Sequence, residues 1–225
     1  MVSAFGSTDV PTSTGADPTS TANTFAAWVV EYDLDGIDVD YEDFDAMDAG
    51  TAEAWLVTFT TQLRNQLPAG QYIITHAPVA PWFSPNIWTN GGYLTVNSEV
   101  GSLIDWYNVQ VSSQIALCLA TKLLEIAEGT SEYTTCSGLL TSSSSTWPES
   151  ALFQISASGV TLDKLVIGKP ANTGDASTGY ISSSTLAGCV EQAKNQGWDA
   201  GVMVWEYPDA ATSWITTVRS ESWPV

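Results

Sequence analysis

The chain has 225 residues, with 25 Asp and Glu against six Lys and Arg, giving a formal net charge of −19. That excess of negative charge opposes binding to nucleic acid or to an anionic membrane, and no apolar run reaches the roughly 18 residues of a membrane span. A neutral polysaccharide would not be repelled, and 44 % apolar residues with ten Trp, eight Tyr and six Phe suffice for a sizeable core in one large domain or a small pair.

Met1 to Phe5 reads as a strand that runs into a Gly-, Thr- and Pro-rich loop, without the pattern of a secretory signal. Thr21 to Tyr32 is predicted helical, with Phe25, Trp28 and Val29 at helical spacing. An acidic strand is predicted over Gly36 to Glu42, and a second helix over Thr51 to Leu67, ended by Pro68 and Gly70. A strand at Tyr72 to Ala77 leads into an aromatic-rich loop, Pro78 to Trp88. Further strands are predicted at Leu103 to Val111, Leu165 to Gly168 and Gly201 to Trp205, with a helix at Ser184 to Gln196 between the last two. Strands alternating with helices imply a parallel sheet, and functional residues at strand ends imply a (β/α) barrel.

Cys118, Cys136 and Cys189 can form at most one internal pair, and no CxxC or His/Cys cluster suggests a metal. His76 is the sole histidine. A Ser-His-Asp relay built on it has no G-x-S-x-G elbow beside it, so a hydrogen-bonded core or supporting role is favoured.

The acidic strand carries the strongest signal. Asp38, Asp40 and Glu42 stand two residues apart, so a strand sends all three carboxyls to one face and Ile37, Val39 and Tyr41 to the other. Closely spaced carboxyls repel, and a row of them is worth keeping where a general acid needs a supporting carboxylate. A solvated acidic face has no need of the interleaved apolar residues. An EF-hand loop requires a Gly at its sixth position, and from Asp33, Asp35 or Asp38 the Gly falls in the wrong place.

Asp35, Gly36, Asp38, Asp40 and Glu42 closely resemble the DGxDxDxE signature of glycoside hydrolase family 18, the chitinases and endo-N-acetylglucosaminidases. The resemblance covers essentially the whole chain, most closely fungal chitinases. It implies retention of anomeric configuration without a protein nucleophile: the substrate's own N-acetyl carbonyl attacks the anomeric carbon. Glu42 would be the general acid, Asp40 would hold the acetamido N–H, and Asp38 would share a proton with Asp40. Ser3, Phe5 and Gly6 are similar to the turn after the family's third strand. His76, Ala77 and Pro78 are similar to the end of its fifth strand, and Trp205 to the Trp that floors its cleft, with a barrel-rim core Trp as the alternative.

At the sixth strand, related chitinases carry Gln-Phe-Tyr-Asn, whereas Gln110 is followed here by Val111, Ser112 and Ser113. The family's Tyr falls on Ser112. An insertion is therefore expected at about 111–128, and Tyr107 or Tyr133 is the candidate replacement hydroxyl, although Tyr107 is on the wrong face by its odd spacing. If Met1 lies in the third strand, the chain is a partial (β/α)8 TIM barrel lacking the first two β/α units, with about six parallel strands in a single incomplete domain over 1–225. A natural six-stranded variant is the alternative.

The implied function is a chitinase-like glycosidase acting on chitin or chito-oligosaccharides, extracellular and monomeric, with no cofactor, nucleic acid or membrane partner. The expected site comprises catalytic Glu42, Asp40 and Asp38, with Trp205, Tyr107, Gln110, Ser3, Phe5, His76 and Pro78 contacting substrate. The alternatives are an endo-β-N-acetylglucosaminidase and a non-catalytic chitin-binding lectin. The intact Glu42 favours an enzyme.

Overall fold

A computed structural model describes residues 1–111, 133–176, 178–207 and 209–224. Six strands run in sequence order across one sheet: β1 (Val2–Phe5), β2 (Gly36–Asp40), β3 (Ile73–His76), β4 (Trp106–Gln110), β5 (Leu165–Pro170) and β6 (Val202–Trp205). The pairs β1–β2, β2–β3, β3–β4 and β5–β6 are parallel. Eight helices lie among the described residues: α1 (Pro18–Glu31), α2 (Phe44–Ala49), α3 (Ala52–Gln66), α4 (Gly92–Val100), α5 (Cys136–Leu140), α6 (Leu152–Ala157), α7 (Ser183–Asn195) and α8 (Thr212–Arg219). This is an α/β fold of the partial (β/α)-barrel type, with six of the eight strands a closed barrel of this class contains. No helix among the described residues is long and apolar enough to cross a membrane.

The chain divides into two compact units. The first comprises Met1–Pro78 and Trp82–Asn108. Its strands are short and apolar on the helix-facing side, where Ala4, Ile37, Val39 and Ile74 are buried. Helix α1 begins where Asp17 accepts the Ser20 amide at 2.8 Å and Pro18 occupies the first turn, which needs no N–H donor there. Helix α3 buries Trp55, Leu56, Phe59 and Leu63 along one stripe, each large apolar side chain contributing about 1.5–3 kcal/mol of transfer free energy. Gly36 is required by close packing: a Cβ there would collide with the Ile73 carbonyl.

Two expectations change. The acidic strand ends at Asp40 rather than Glu42, because the ladder's last partners are Phe5 opposite Asp40 and His76 opposite Val39. Beyond them the chain turns, and Asp43 caps α2 by accepting the Ala46 amide. The stretch expected as an aromatic loop contains a 3-10 turn at Ala80–Phe83, whose Trp82 and Phe83 are buried.

The second unit comprises Val79–Pro81 and Val109–Val225. A disulfide joins Cys136 to Cys189, tying α5 to α7. Closing a loop with a sequence separation of 53 restricts the unfolded chain by about 4 kcal/mol. Trp198 is buried and donates from its indole to the Leu165 carbonyl at 2.6 Å. Lys169 on β5 is also buried, and its amine donates to the carbonyls of Val111, Tyr133 and Gly179 at 2.7, 2.8 and 2.8 Å. Burial pushes its pKa well down, while three acceptors match the three N–H bonds of the protonated form. Apart from Val111, the expected insertion at 111–128 lies outside the described residues, as do Ser112 and Cys118.

Candidate active site

Strand register assembles the site in the first unit. Ser3, Asp38 and Thr75 stand level across β1, β2 and β3, and their side chains share a face. Thr75 lies opposite Trp106 on β4, so Asn108, two residues further, returns to that same face. Asp38 consequently accepts three hydrogen bonds: from Ser3 Oγ at 3.0 Å, Thr75 Oγ1 at 2.5 Å and Asn108 Nδ2 at 2.9 Å. Trp106 Nε1 donates to Asn108 Oδ1 at 3.1 Å, which fixes the amide with its nitrogen toward Asp38. Four strands thus converge on one carboxylate.

Asp40 ends β2, and its carbonyl accepts the Gly6 amide at 2.7 Å. Phe5 and Gly6 turn the chain beside it with φ of 79° and 84°. The left-handed conformation is costly for a Phe. Four ring contacts, with Phe25, Tyr41, Trp55 and Phe59, hold Phe5 in place with centroids 5.3–6.5 Å apart. Phe5 therefore packs into an aromatic cluster under the site. Glu42, 9 % exposed, follows the strand end between two buried residues, Tyr41 and Asp43.

The remaining expected site residues belong to both units. Tyr107 alternates with Asn108 and is fully buried on the opposite face, donating its hydroxyl to Asn97 Oδ1 at 3.0 Å and packing on Phe83 and Tyr93. Burial pushes its pKa upward. His76 is likewise buried, with Nε2 3.2 Å from Thr60 Oγ1 and Nδ1 3.2 Å from the Tyr93 hydroxyl. Burial lowers its pKa to about 3, so the ring is neutral. Pro78 is buried just beyond β3. In the second unit, Gln110 ends β4 and bridges to Val79. Trp205 ends β6 with 46 % of its surface exposed, and Tyr133 is buried with its hydroxyl 2.5 Å from Ser150 Oγ.

Thr75 and Asn108 were not singled out by sequence. A polar residue one alternation before Gln110 was the available signal for Asn108, whereas Thr75 is identified only by register.

No family sequence model and no curated protein sequence matches the chain. Solved structures do. A GH18 chitinase from Pseudoalteromonas aurantia is 27 % identical with a TM-score of 0.67, over 91 % of this chain and 67 % of that one. A fungal endo-beta-N-acetylglucosaminidase of glycosyl hydrolase family 18 is 20 % identical with a TM-score of 0.57, over 91 % of this chain and 59 % of that one. A family GH18 chitinase from Chromobacterium violaceum is 18 % identical with a TM-score of 0.61, over 90 % and 58 % of the respective chains. The chain spans about two thirds of the first of these structures and less of the other two.

Proposed function

We propose that this chain, a relative of glycoside hydrolase family 18, is a chitinase-like hydrolase of β-1,4 linkages between N-acetylglucosamine units. The observation that carries the proposal is the acidic row at the end of β2, with Asp38 held by donors from β1, β3 and β4 and Glu42 just beyond the strand.

Glu42 protonates the leaving glycosidic oxygen. Asp40 accepts a hydrogen bond from the acetamido N–H, which turns the acetamido carbonyl toward the anomeric carbon and stabilises the developing positive charge. The carbonyl oxygen bonds to that carbon as the glycosidic bond breaks, giving an oxazolinium ion. Water, deprotonated by Glu42, then opens the ion with overall retention. Asp38, fixed by its three donors, sets the position of Asp40. Trp205, in the second unit, has an exposed indole that offers a face on which a sugar ring can stack. The action is extracellular, on insoluble or oligomeric chitin.

A second reading, an endo-β-N-acetylglucosaminidase acting on N-glycan cores, is favoured by the likeness to the fungal enzyme of that name. The test is hydrolysis of a fluorogenic chito-oligosaccharide by the chain beside its Glu42→Gln variant. Turnover that disappears in the variant supports the proposal. Equal rates overturn the acid assignment, cleavage confined to an N-glycan selects the second reading, and binding without turnover indicates a lectin.

A further inference from the structure

We infer that the loop between β1 and α1 is a positioning device for Glu42, acting through Thr12 and Ser13 on the residues to either side of it. This inference rests on Glu42 being the general acid. Glu42 lies two residues past the last backbone pairing of β2. Its carbonyl accepts the Phe44 amide at 3.0 Å within the turn that leads to α2. A general acid must nevertheless keep its geometry, since small displacements of a reacting group are costly in rate.

The loop between β1 and α1 reaches the residues on either side of Glu42. It folds on itself, with the Thr14 amide and hydroxyl donating to the Val10 carbonyl at 3.0 and 2.9 Å and the Ala16 amide to the Pro11 carbonyl at 2.9 Å. It is anchored from α3 by Trp55 Nε1, which donates to the Ala16 carbonyl at 2.8 Å. From that base it grips both neighbours of Glu42. The Tyr41 hydroxyl donates to Thr12 Oγ1 at 2.8 Å. The Ser13 amide donates to Asp43 Oδ2 at 2.7 Å, and its hydroxyl to Asp43 Oδ1 at 2.5 Å.

Both grips are stiff. The Tyr41 ring is fully buried between Trp55 and Trp82, with centroids 5.7 and 6.2 Å away. Asp43 is fully buried and also caps α2 through the Ala46 amide. Anchoring residues 41 and 43 restrains the backbone on both sides of Glu42, within the turn that the Phe44 amide closes on the Glu42 carbonyl. Bonds from donors to a carboxylate are among the stronger hydrogen bonds. Thr12 and Ser13 therefore act on catalysis through Tyr41 and Asp43.

The test compares the full chain with Ser13→Ala, Ser13→Thr and the double variant Ser13→Ala/Tyr41→Phe. Ser13 is exposed and keeps its backbone amide bond to Asp43 in the alanine variant, and Tyr41→Phe keeps the buried ring. On a fluorogenic chito-oligosaccharide, kcat should fall about tenfold in Ser13→Ala and about a hundredfold in the double variant, with KM changed less than about twofold. Ser13→Thr should restore kcat. Amide hydrogen exchange at Tyr41, Glu42 and Asp43 should quicken in the alanine variant while exchange in the helix cores stays unchanged.

A lowered thermal midpoint with unaltered kcat makes the contacts merely structural and overturns the inference. Unaltered exchange at residues 41–43 overturns it even in a chain that hydrolyses nothing. Quickened exchange together with undiminished turnover by Glu42→Gln leaves the grip standing and removes instead the role of Glu42 as the acid.

Discussion

The side-chain amide of Asn108 on β4 donates to the Asp38 carboxylate on β2 at 2.9 Å, across 70 residues of sequence and the intervening strand β3. The Trp106 indole bonds the amide oxygen of Asn108 and so prevents the amide from turning over. Asn108→Leu should lower kcat/KM by ten- to a hundredfold, matching about 1.5–3 kcal/mol for a hydrogen bond to a charged group. Asn108→Asp should be worse, because it sets a second carboxylate against Asp38. Steady-state kinetics on a chito-oligosaccharide measures both, and activity equal to the parent in Asn108→Leu would show that the other two donors suffice.

Trp205 is a large aromatic left 46 % exposed at a strand end, an arrangement that core packing does not require. Trp205→Ala should weaken oligosaccharide binding about tenfold, roughly the 1.5 kcal/mol at the upper end of aromatic stacking. Calorimetric titration checks this. An unchanged affinity accompanied by a lower thermal midpoint would return Trp205 to a packing role.

His76 makes stability depend on pH. Its folded-state pKa of about 3 lies below the ordinary 6.5 because burial penalises the imidazolium. The unfolded chain therefore takes up a proton below pH 6.5 that the folded chain refuses. The contribution to stability is complete above pH 6.5 and is lost as pH falls toward 3. Between pH 7 and 5 this group should cost the parent about 2 kcal/mol. Denaturant unfolding of the parent and of His76→Gln at the two pH values isolates the difference, since the many carboxylates are common to both proteins. Equal pH dependence in the two would mean that the ring is protonated in the fold.

Much of the site was legible because it is covalently local. Two-residue spacing in a strand is enough to align Asp38 with Asp40, and the apolar alternation of Ile37, Val39 and Tyr41 identifies the strand. Helices α1 and α3 were legible from their apolar stripes. The helices α2 and α4 were not: one has six residues and the other nine, starting at Gly92, too few for a periodic pattern to separate them from loop. The odd spacing of Tyr107 already set it apart from Gln110, and its burial against Phe83 and Tyr93 shows where that face points.

By itself the sequence determined the alternation of strands and helices and the row of acids, since both follow from side-chain periodicity along a single segment. Only the tertiary structure decided where the acidic strand ends, which residues bond Asp38, and what holds the residues on either side of Glu42. The end of β2 depends on where its partners β1 and β3 run out, and Ser3, Thr75 and Asn108 reach Asp38 through the register between strands. Register arises from the packing of whole faces against each other, a property that no single segment of the chain carries.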